Sequence, residues 1–392
     1  MQNTPNSLRK HIALIGKTNA GKSTLFNALL GQDMAIVSSI SGTTTDPVSK
    51  AMELIPYGPV TLIDTAGLGD ATSLGAQRTE KTNKTLKRCD LILSVCSAAD
   101  EKPAFYNPGS TSAITVFTKC DLISPERLAS LKNEYPSAVF LADYSSASIS
   151  ALMKKMSDFL SKQESDTETL LGNIVKKGSN VVMVIPIDSA APKGRIILPQ
   201  VQAIRDCLDN GIHAISVTPA ELPDILGELS HVELVVTDSQ AFHAVSETVP
   251  ENIPLTSFSM LLANQKGRID LLIDGTNAIP HLDNGDKILM LEACTHSTTH
   301  EDIGRVKIPA LLEKVTGKKL RFEYFTGYDF PKNLSEYKLA VHCGGCMINK
   351  REILSRLSLL ESSGVPATNY GVILAYLNGI LERASKVFKN QK

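Results

Sequence analysis

The sequence has no excess of positive charge and no long run of basic residues. It contains 40 Lys plus Arg against 41 Asp plus Glu in 392 residues. Proteins that hold nucleic acids or anionic membranes by charge carry a basic surface, and the sequence gives no sign of one. We therefore expect no nucleic acid and no membrane as a partner, and we expect proteins or small molecules instead.

A long apolar run is also missing. No stretch approaches the length that a helix needs to cross a bilayer, and residues 1–9 lack the apolar core of a signal peptide. The number of cysteines is seven, which is odd and does not indicate a framework of disulfides. Together these absences predict a protein of the reducing cytoplasm without disulfide bonds.

The length predicts three domains, and the first of them begins with a phosphate-binding motif. An apolar strand at residues 10–15 leads into residues 16–23, which fit G-x-x-x-x-G-K-[ST], and a helical pattern follows at 24–30. Glycines let the backbone N–H groups point at phosphate oxygens, and the start of the helix adds positive partial charge. Lys22 is expected to meet the terminal phosphates and Ser23 the magnesium ion. The predicted nucleotide contacts in this segment are Gly16, Asn19, Ala20, Gly21, Lys22, Ser23 and Thr24.

A second phosphate motif follows the apolar strand at residues 60–63. Asp64 supplies a carboxylate that holds magnesium through water, and the amide of Gly67 reaches the terminal phosphate. Between the two motifs, the hydroxyl-rich loop 42–46 contains Thr44, which we expect to close on magnesium only when a third phosphate is present. The predicted catalytic residues are Lys22, Thr44 and Gly67.

Residues 118–121, with the sequence Thr-Lys-Cys-Asp, predict specificity for guanine. The carboxylate of Asp121 can accept hydrogen bonds from N1 and N2 of guanine, which selects GTP over ATP. The segment resembles the Asn-Lys-x-Asp motif of GTPases, with Thr118 in place of the asparagine. Residues 145–147, after the strand at 139–142, resemble the last base-contacting loop. The other predicted base contacts are Lys119, Ser146 and Ala147.

Among GTPases, residues 16–46 and 64–68 are most similar to the subgroup related to tRNA-modifying and ribosome-assembly enzymes. The resemblance implies that Asn19 helps to bind a potassium ion that stands in for an arginine finger. Leu68 lies where many GTPases carry the glutamine that orients the attacking water, and a hydrocarbon cannot do this. We therefore expect a slow, potassium-activated hydrolysis of GTP to GDP and phosphate.

After the nucleotide domain (residues 1–165), the chain is predicted to form two smaller open α/β domains. A polar stretch at 161–169 ends the first domain, and an apolar strand pattern restarts at 181–185. The middle domain (172–263) shows no phosphate loop and no metal-spaced cluster. By elimination we assign this domain to self-association.

The last domain (264–392) contains a Cys-x-His pair at residues 294–296 and a His-Cys-Gly-Gly-Cys run at residues 342–346. Strand candidates at 288–292 and 339–341 end beside these two groups. Since the carboxyl ends of parallel neighbours meet at one edge of an open α/β sheet, the two groups are predicted to converge. The predicted metal ligands are Cys294, Cys343 and Cys346, with His296 and His342 as possible ligands. Both zinc bound by Cys3His and a 4Fe-4S cluster satisfy this donor set.

The P-loop domain, the middle domain and the paired C-x-H and H-C-x-x-C motifs together resemble the [FeFe]-hydrogenase maturation GTPases, the HydF family, over the whole chain. The resemblance implies that the three cysteines hold a 4Fe-4S cluster and that the middle domain forms a homodimer. It also implies a scaffold or carrier that receives a diiron precursor from two radical-SAM maturation enzymes and delivers it to apo-hydrogenase.

Two other functions remain open on the sequence alone. One is a ribosome- or tRNA-associated GTPase whose last domain is a structural zinc module, which the missing basic face disfavours. The other is an iron-sulfur redox sensor that gates GTP hydrolysis, which predicts that reduction of the cluster changes the rate of hydrolysis.

Overall fold

The computed structural model describes residues 4–31, 38–39, 48–65, 82–83, 85–101, 112–163, 169–187, 194, 196–293 and 303–389. The chain divides into two compact units, Met1–Ser165 and Asp166–Lys392. Among the helices in these ranges, none combines the length and the apolar character that crossing a membrane would require.

Unit 1 is built on one seven-stranded sheet with the order β2-β3-β4-β1-β5-β6-β7. Its strands are β1 (Lys10–Ile15), β2 (Ser38–Ser39), β3 (Val48–Leu54), β4 (Gly58–Asp64), β5 (Leu91–Ser97), β6 (Ala113–Thr118) and β7 (Val139–Phe140). The pairs β2–β3 and β3–β4 are antiparallel, and the remaining neighbours are parallel. Strands β1 and β5 are buried almost throughout, which explains their continuous apolar sequences.

Three helices of unit 1 carry or support the nucleotide motifs: α1 (Lys22–Leu30), α2 (Pro125–Glu134) and α3 (Ser146–Gln163). Helix α3 buries Ile149, Leu152, Met153, Met156 and Leu160, the spacing of one helical face. The predicted strands and helices that carry the motifs are confirmed here. The sequence prediction missed β3, whose run of mixed polarity pairs with β4 as an edge ribbon.

Unit 2 contains two four-stranded parallel sheets. The first has the order β11-β10-β8-β9 and the second β13-β12-β14-β15. The strands are β8 (Asn180–Val184), β9 (His213–Val217), β10 (Leu234–Thr237), β11 (Leu255–Ser257), β12 (Lys287–Glu292), β13 (Arg321–Thr326), β14 (Tyr337–His342) and β15 (Ala367–Asn369). This confirms the prediction of α/β architecture with open sheets after the P-loop domain.

The helices of unit 2 cover both sheets. They are α4 (Leu198–Asp209), α5 (Leu222–Glu228), α6 (Phe242–Thr248), α7 (Phe258–Gln265), α8 (Ile269–Asp274), α9 (Ile308–Thr316), α10 (Lys350–Ser362), α11 (Tyr370–Leu377) and α12 (Leu381–Lys389). One buried apolar cluster includes Val182 of the first sheet, Leu261 of α7 and Leu291 of the second sheet. Helix α7 therefore packs in a core that both sheets share.

The predicted division into domains 1–165, 172–263 and 264–392 stays a proposal. Its last boundary falls between the two sheets of unit 2, since β11 ends at Ser257 and β12 begins at Lys287. The shared apolar cluster joins these two parts into one compact unit.

We expect His11 to make unit 1 less stable as the pH falls. Its ring is buried on β1, and burial, helped by the nearby Arg88 charge, lowers its pKa from 6.5 to about 4. Because the folded-state pKa is the lower one, the contribution of the neutral ring is complete above pH 6.5 and is lost as the pH falls towards 4. At 1.36 kcal/mol per pKa unit, the loss between pH 6.5 and pH 5 is about 2 kcal/mol.

The measurement is hydrogen exchange of the β1 amides in the full chain at several pH values, compared with His11→Gln. The amide of glutamine can replace the hydrogen bond that Nε2 makes with Asn6, but it does not titrate. We expect the pH dependence to be weaker in the variant by that amount. Equal pH dependence in both proteins would contradict the assignment.

Candidate functional site

The phosphate-binding loop begins at the carboxyl end of β1. This strand is central in the sheet: β2, β3 and β4 lie on one side of it, and β5, β6 and β7 lie on the other. Ligands of open α/β sheets bind at such a switch point. A Cβ atom on Gly16 would overlap the carbonyl oxygen of Val95 on β5, so a side chain at this position is excluded. Gly21 adopts φ 87° where it caps α1, a conformation that favours glycine.

Lys22 is buried, and its ammonium group donates to two carbonyl oxygens of the loop. The distances from Nζ are 3.1 Å to Gly16 and 2.9 Å to Lys17. Burial lowers the pKa of Lys22, and the nearby charge of Asp64 opposes this shift. The lysine is thus held inside the loop, where its charge is available to an anion.

Ser23 and Asp64 meet at the carboxyl edge of β1 and β4. The hydroxyl of Ser23 donates to Oδ2 of Asp64 at 2.8 Å. Oδ1 of the same carboxylate is buried and, within the described ranges, has no hydrogen-bond partner. Burial raises the pKa of Asp64, while Ser23 and Lys22 lower it. A buried carboxylate oxygen without a partner beside a hydroxyl suits a hydrated magnesium ion, as these residue types predicted.

Thr118 joins the base-recognition loop to the phosphate loop. Its buried hydroxyl donates to the carbonyl oxygen of Ala20 at 2.7 Å and approaches that of Cys96 at 3.3 Å. The next residue makes a second link between the two loops: Nζ of Lys119 donates to the carbonyl oxygen of Asn19 at 2.8 Å. The threonine that replaces the usual asparagine therefore makes a direct bond to the phosphate loop.

Asn19 and Lys119 are the two non-glycine residues of the described chain with positive φ, at 63° and 57°. Such residues cost energy and occur mainly where the surrounding structure holds them for a function. Here the two strained residues are bonded to each other across the loops. Asp121 follows as an exposed residue in a short 3-10 turn, Cys120–Leu122.

The sequence reasoning missed Tyr144 in the loop after β7. A Cβ atom on Gly21 would lie 3.1 Å from the Tyr144 hydroxyl oxygen, so this hydroxyl lies against the phosphate loop. Burial, with smaller effects of the Asp121 and Cys120 charges, raises the pKa of Tyr144. Ser146 and Ala147 begin α3 and are exposed. An aromatic residue in the short loop between a strand and the next helix was the available signal.

Several predicted residues of this site lie outside the described residues. They are Thr44 and Gly67 of the two switch segments, together with Leu68. Thr24 is described, and it is exposed on the first turn of α1. The structure therefore brings together the phosphate loop, Asp64 and the loop at 118–121, and the roles of Thr44 and Gly67 stay predictions.

The second candidate site lies at the carboxyl edge of β12 and β14, which are parallel neighbours as the sequence predicts. The amide of Cys343 donates to the carbonyl oxygen of Leu291 at 2.8 Å. In return, the amide of Ala293 donates to the sulfur of Cys343 at 3.1 Å. Ala293 is the residue before Cys294, which with His296 lies outside the described residues.

Two glycines separate Cys343 from Cys346, and the second of them occupies a position that a side chain would not fit. Gly345 has φ 63°, and a Cβ atom there would lie 2.5 Å from Cδ1 of Ile353. Lys266, just after α7, donates from Nζ to the carbonyl oxygens of Gly345 and Ile348. A buried lysine, which no sequence motif predicts, therefore stabilises the backbone of this turn.

Both ring nitrogens of His342 have partners. Nδ1 lies 2.7 Å from the carbonyl oxygen of Cys343, which can only accept, so Nδ1 carries the proton. Nε2 lies 3.4 Å from Nη1 of Arg356. Burial, followed by the Arg356 charge, lowers the pKa of His342 to about 3, so the ring is neutral at ordinary pH. As a metal ligand, His342 would have to give up one of these bonds.

Arg356 is itself buried and paired. Its Nε donates to Oε1 of Glu352 at 2.7 Å, and its Nη2 donates to the carbonyl oxygen of Gly327 at 2.6 Å. The ion pair is 4% exposed on the arginine side and 11% on the glutamate side. This network fixes the orientation of the His342 ring beside the cysteine turn.

The two described thiols fit a metal-thiolate group. Burial raises the pKa of both Cys343 and Cys346, while the Ala293 amide lowers that of Cys343 and the Lys266 charge lowers that of Cys346. Metal binding would displace their protons. Within the part of the chain that the structure describes, no group of three metal-ligating side chains is present, since Cys294 falls outside it.

Three family models match separate parts of the chain. A model described as the hydrogen maturase F dimerization domain matches residues 170–267, and one described as the hydrogen maturase F tetramerization domain matches residues 270–387. A model described as a 50S ribosome-binding GTPase matches residues 11–119. The two hydrogen maturase F models together cover more than half of the chain.

Curated relatives match only part of the chain. GTPase Der of Kosmotoga olearia is 35% identical over 34% of this chain and 33% of its own length. The tRNA modification GTPase MnmE of Helicobacter pylori is 34% identical over 42% of this chain and 39% of its own length. The chain thus spans between a third and two fifths of the length of these relatives.

The similarity of this chain to solved structures is low, as the TM-scores show. Era of Aquifex aeolicus is 19% identical, with a TM-score of 0.32 over 57% of this chain and 98% of its own. The G domain of the T. maritima FeoB iron transporter is 23% identical, with a TM-score of 0.27 over 39% of this chain and 99% of its own. The assignment of a P-loop GTPase domain depends on the family model and on the loop geometry described above.

We expect Thr118→Val to weaken GDP binding about tenfold, because it removes the donor to Ala20 and leaves a buried carbonyl oxygen without its partner, at a cost of about 1.4 kcal/mol. Thr118→Ser keeps the hydroxyl and should stay within about twofold of wild type. Isothermal titration of the full chain with GDP measures both. Unchanged affinity in the valine variant would show that the bond does not support nucleotide binding.

Proposed function

Because the chain belongs to the hydrogen maturase F family of hydrogenase maturation GTPases, we propose that it is a GTP-hydrolysing scaffold for an iron-sulfur cluster. It holds a 4Fe-4S cluster and delivers a diiron precursor, its cargo, to apo-[FeFe]-hydrogenase. The observation that carries this proposal is the contact between the Ala293 amide and the Cys343 sulfur, because it brings the backbone just before Cys294 to the cysteine turn.

GTP and magnesium bind at the first site. Lys22 offers its ammonium group to the terminal phosphates, Ser23 and Asp64 hold magnesium, and Asp121 selects guanine. The buried Oδ1 of Asp64, for which the described residues provide no hydrogen-bond partner, supports the magnesium assignment. Asn19, strained and tied to Lys119, would contribute to the potassium site, and the absence of a glutamine at Leu68 keeps hydrolysis slow.

The cluster is held by Cys294, Cys343 and Cys346. A 4Fe-4S cluster with three cysteine ligands has one iron whose fourth ligand can be exchanged, which suits a group that must accept and release cargo. The Ala293 amide and the Lys266 ammonium stabilise negative charge on the sulfurs. His296 remains a possible fourth ligand, whereas His342 is held by Cys343 and Arg356.

Self-association follows from the matched families. Residues 170–267 would form the homodimer, and residues 270–387 would join dimers into a tetramer, a larger assembly than the sequence alone predicts. The further partners are apo-hydrogenase and the two radical-SAM maturation enzymes that supply the diiron precursor. A cytoplasmic location fits this chemistry, because free thiols and the cluster need a reducing environment.

The alternative of a ribosome- or tRNA-associated GTPase with a zinc module is not supported by the second unit. Both family models that match residues 170–387 belong to hydrogen maturase F. The tRNA modification GTPase of Helicobacter pylori matches 42% of this chain, an extent that a shared GTPase domain explains. We therefore do not propose it.

We expect Lys22→Ala to reduce GTP hydrolysis by roughly a hundredfold or more, because it removes the cation that meets the terminal phosphates. Iron and sulfide content should stay at the wild-type level, since Lys22 lies in unit 1. Hydrogenase activation in a complete maturation assay should fall, if nucleotide controls the exchange of partners. Lys154→Ala, on the exposed side of α3, is the matched control. Full activation by Lys22→Ala would contradict this role of the nucleotide.

Cys343→Ala should abolish cluster binding, because it removes one of the three proposed thiolate ligands, whose sulfur accepts a hydrogen bond from the Ala293 amide. The protein is purified and reconstituted without oxygen, and its brown absorbance and bound iron are measured. Cys207→Ala is the control, a buried thiol of α4 within the first sheet's core. A wild-type chain that binds one zinc and remains colourless after reconstitution would refute the scaffold.

A further inference from the structure

Lys266 is a buried cation at the cysteine turn. The residue follows α7 and is 5% exposed. Within the described ranges, no carboxylate lies within ion-pair distance of its ammonium group, whose two recorded partners are the carbonyl oxygens of Gly345 and Ile348. Moving a charge from water into a protein costs several kcal/mol unless it is paired. A buried lysine that bears this cost indicates that its positive charge has a function.

The neighbouring charges do not compensate it. Arg356 is also buried close to the cysteine turn, but Glu352 neutralises it at 2.7 Å. His342 is a neutral ring held by Arg356 and by the Cys343 carbonyl oxygen. The groups that act electrostatically on Lys266 are the sulfurs of Cys343 and Cys346. The described turn therefore carries a net positive charge when both thiols are protonated.

The ammonium group of Lys266 lies against the backbone of the cysteine turn. An ammonium group has three N–H donors, and two of them are used by the carbonyl oxygens of the turn. Lys266 also lines a cavity of about 20 Å³ together with His342, Cys343 and Gly344, large enough for one water molecule. The third donor can therefore serve a water molecule in this cavity, which Cys343 also lines.

We propose that Lys266 is the fixed countercharge of an anionic metal-thiolate group held by Cys343 and Cys346. This inference rests on the proposed function, since it presumes a cluster at the turn. Lys266 acts as a positioning residue in two ways. Its hydrogen bonds hold the backbone of the turn, and its charge stabilises the thiolates and favours the reduced cluster, which carries one more negative charge.

Lys266 and the cysteine turn lie in segments that match two different family models. Lys266 lies at the end of the segment that matches the dimerization domain, and the cysteine turn lies in the segment that matches the tetramerization domain. Ser259 of α7 packs beneath the same turn, because a Cβ atom on Gly344 would lie 3.6 Å from its hydroxyl oxygen. The end of one domain thus supplies both the charge and the support for the metal site of the next.

Three substitutions separate charge from hydrogen bonding. Lys266→Met removes both, Lys266→Gln keeps a neutral donor, and Lys266→Arg keeps the charge. Lys318→Met is the matched control, since it removes the same charge from a lysine that pairs with Asp283 near the amino ends of β12 and β13. Each full-length protein is reconstituted without oxygen, and its iron, its sulfide and its midpoint potential are measured.

We expect the Met and Gln variants either to lose iron or to show a midpoint potential lower by at least 59 mV, which is a tenfold change in the reduction equilibrium of a one-electron couple. The Arg variant and the Lys318 control should keep the wild-type iron content and potential. Wild-type values in the Met and Gln variants would overturn the inference and leave the scaffold intact. Loss of iron in the Arg variant as well would also overturn the inference. Iron binding would then depend on the shape of the lysine side chain and not on its positive charge. A wild-type chain without iron would overturn the proposed function and this inference with it.

Discussion

Parallel strand pairing is the constraint on which the rest of the structure depends. In a parallel sheet all carboxyl ends lie at one edge, so every loop that leaves a strand begins beside its neighbours. In unit 1 this brings the phosphate loop after β1, Asp64 at the end of β4 and the base loop after β6 together. In unit 2 the same rule places Cys343 beside Ala293, although they are far apart in sequence.

Both candidate sites contain a buried lysine that is held by backbone carbonyl oxygens of a glycine-containing loop. Lys22 donates to Gly16 and Lys17, and Lys266 donates to Gly345 and Ile348. Carbonyl dipoles lower the cost of the buried charge but do not neutralise it, so each site retains an attraction for an anion. We propose a phosphate as the anion for Lys22 and a metal-bound thiolate group as the anion for Lys266. Burial lowers the pKa of both lysines, that of Lys266 to about 8.

The sequence predicted the elements that carry motifs because their patterns are local. Continuous apolar runs identify β1, β5 and β12, and the spacing of glycine and lysine identifies the phosphate loop. It did not predict Lys266 or Tyr144, because these residues act through contacts between segments that are distant in sequence. Such contacts leave no spacing pattern in a single chain.

The role of Thr118 shows how a departure from a motif becomes interpretable in three dimensions. From the sequence, a threonine in place of asparagine indicates a weaker affinity for the guanine base, with no structural role of its own. In the structure its hydroxyl makes the link to Ala20 that ties the base loop to the phosphate loop, so the replacement keeps a structural function.

The most direct test of this account is the mass of the wild-type chain, purified and kept without oxygen, by native mass spectrometry. The account predicts that each chain carries the added mass of about four irons and four sulfides. A chain that carries a single zinc ion, or that remains bare after reconstitution with iron and sulfide, would contradict it.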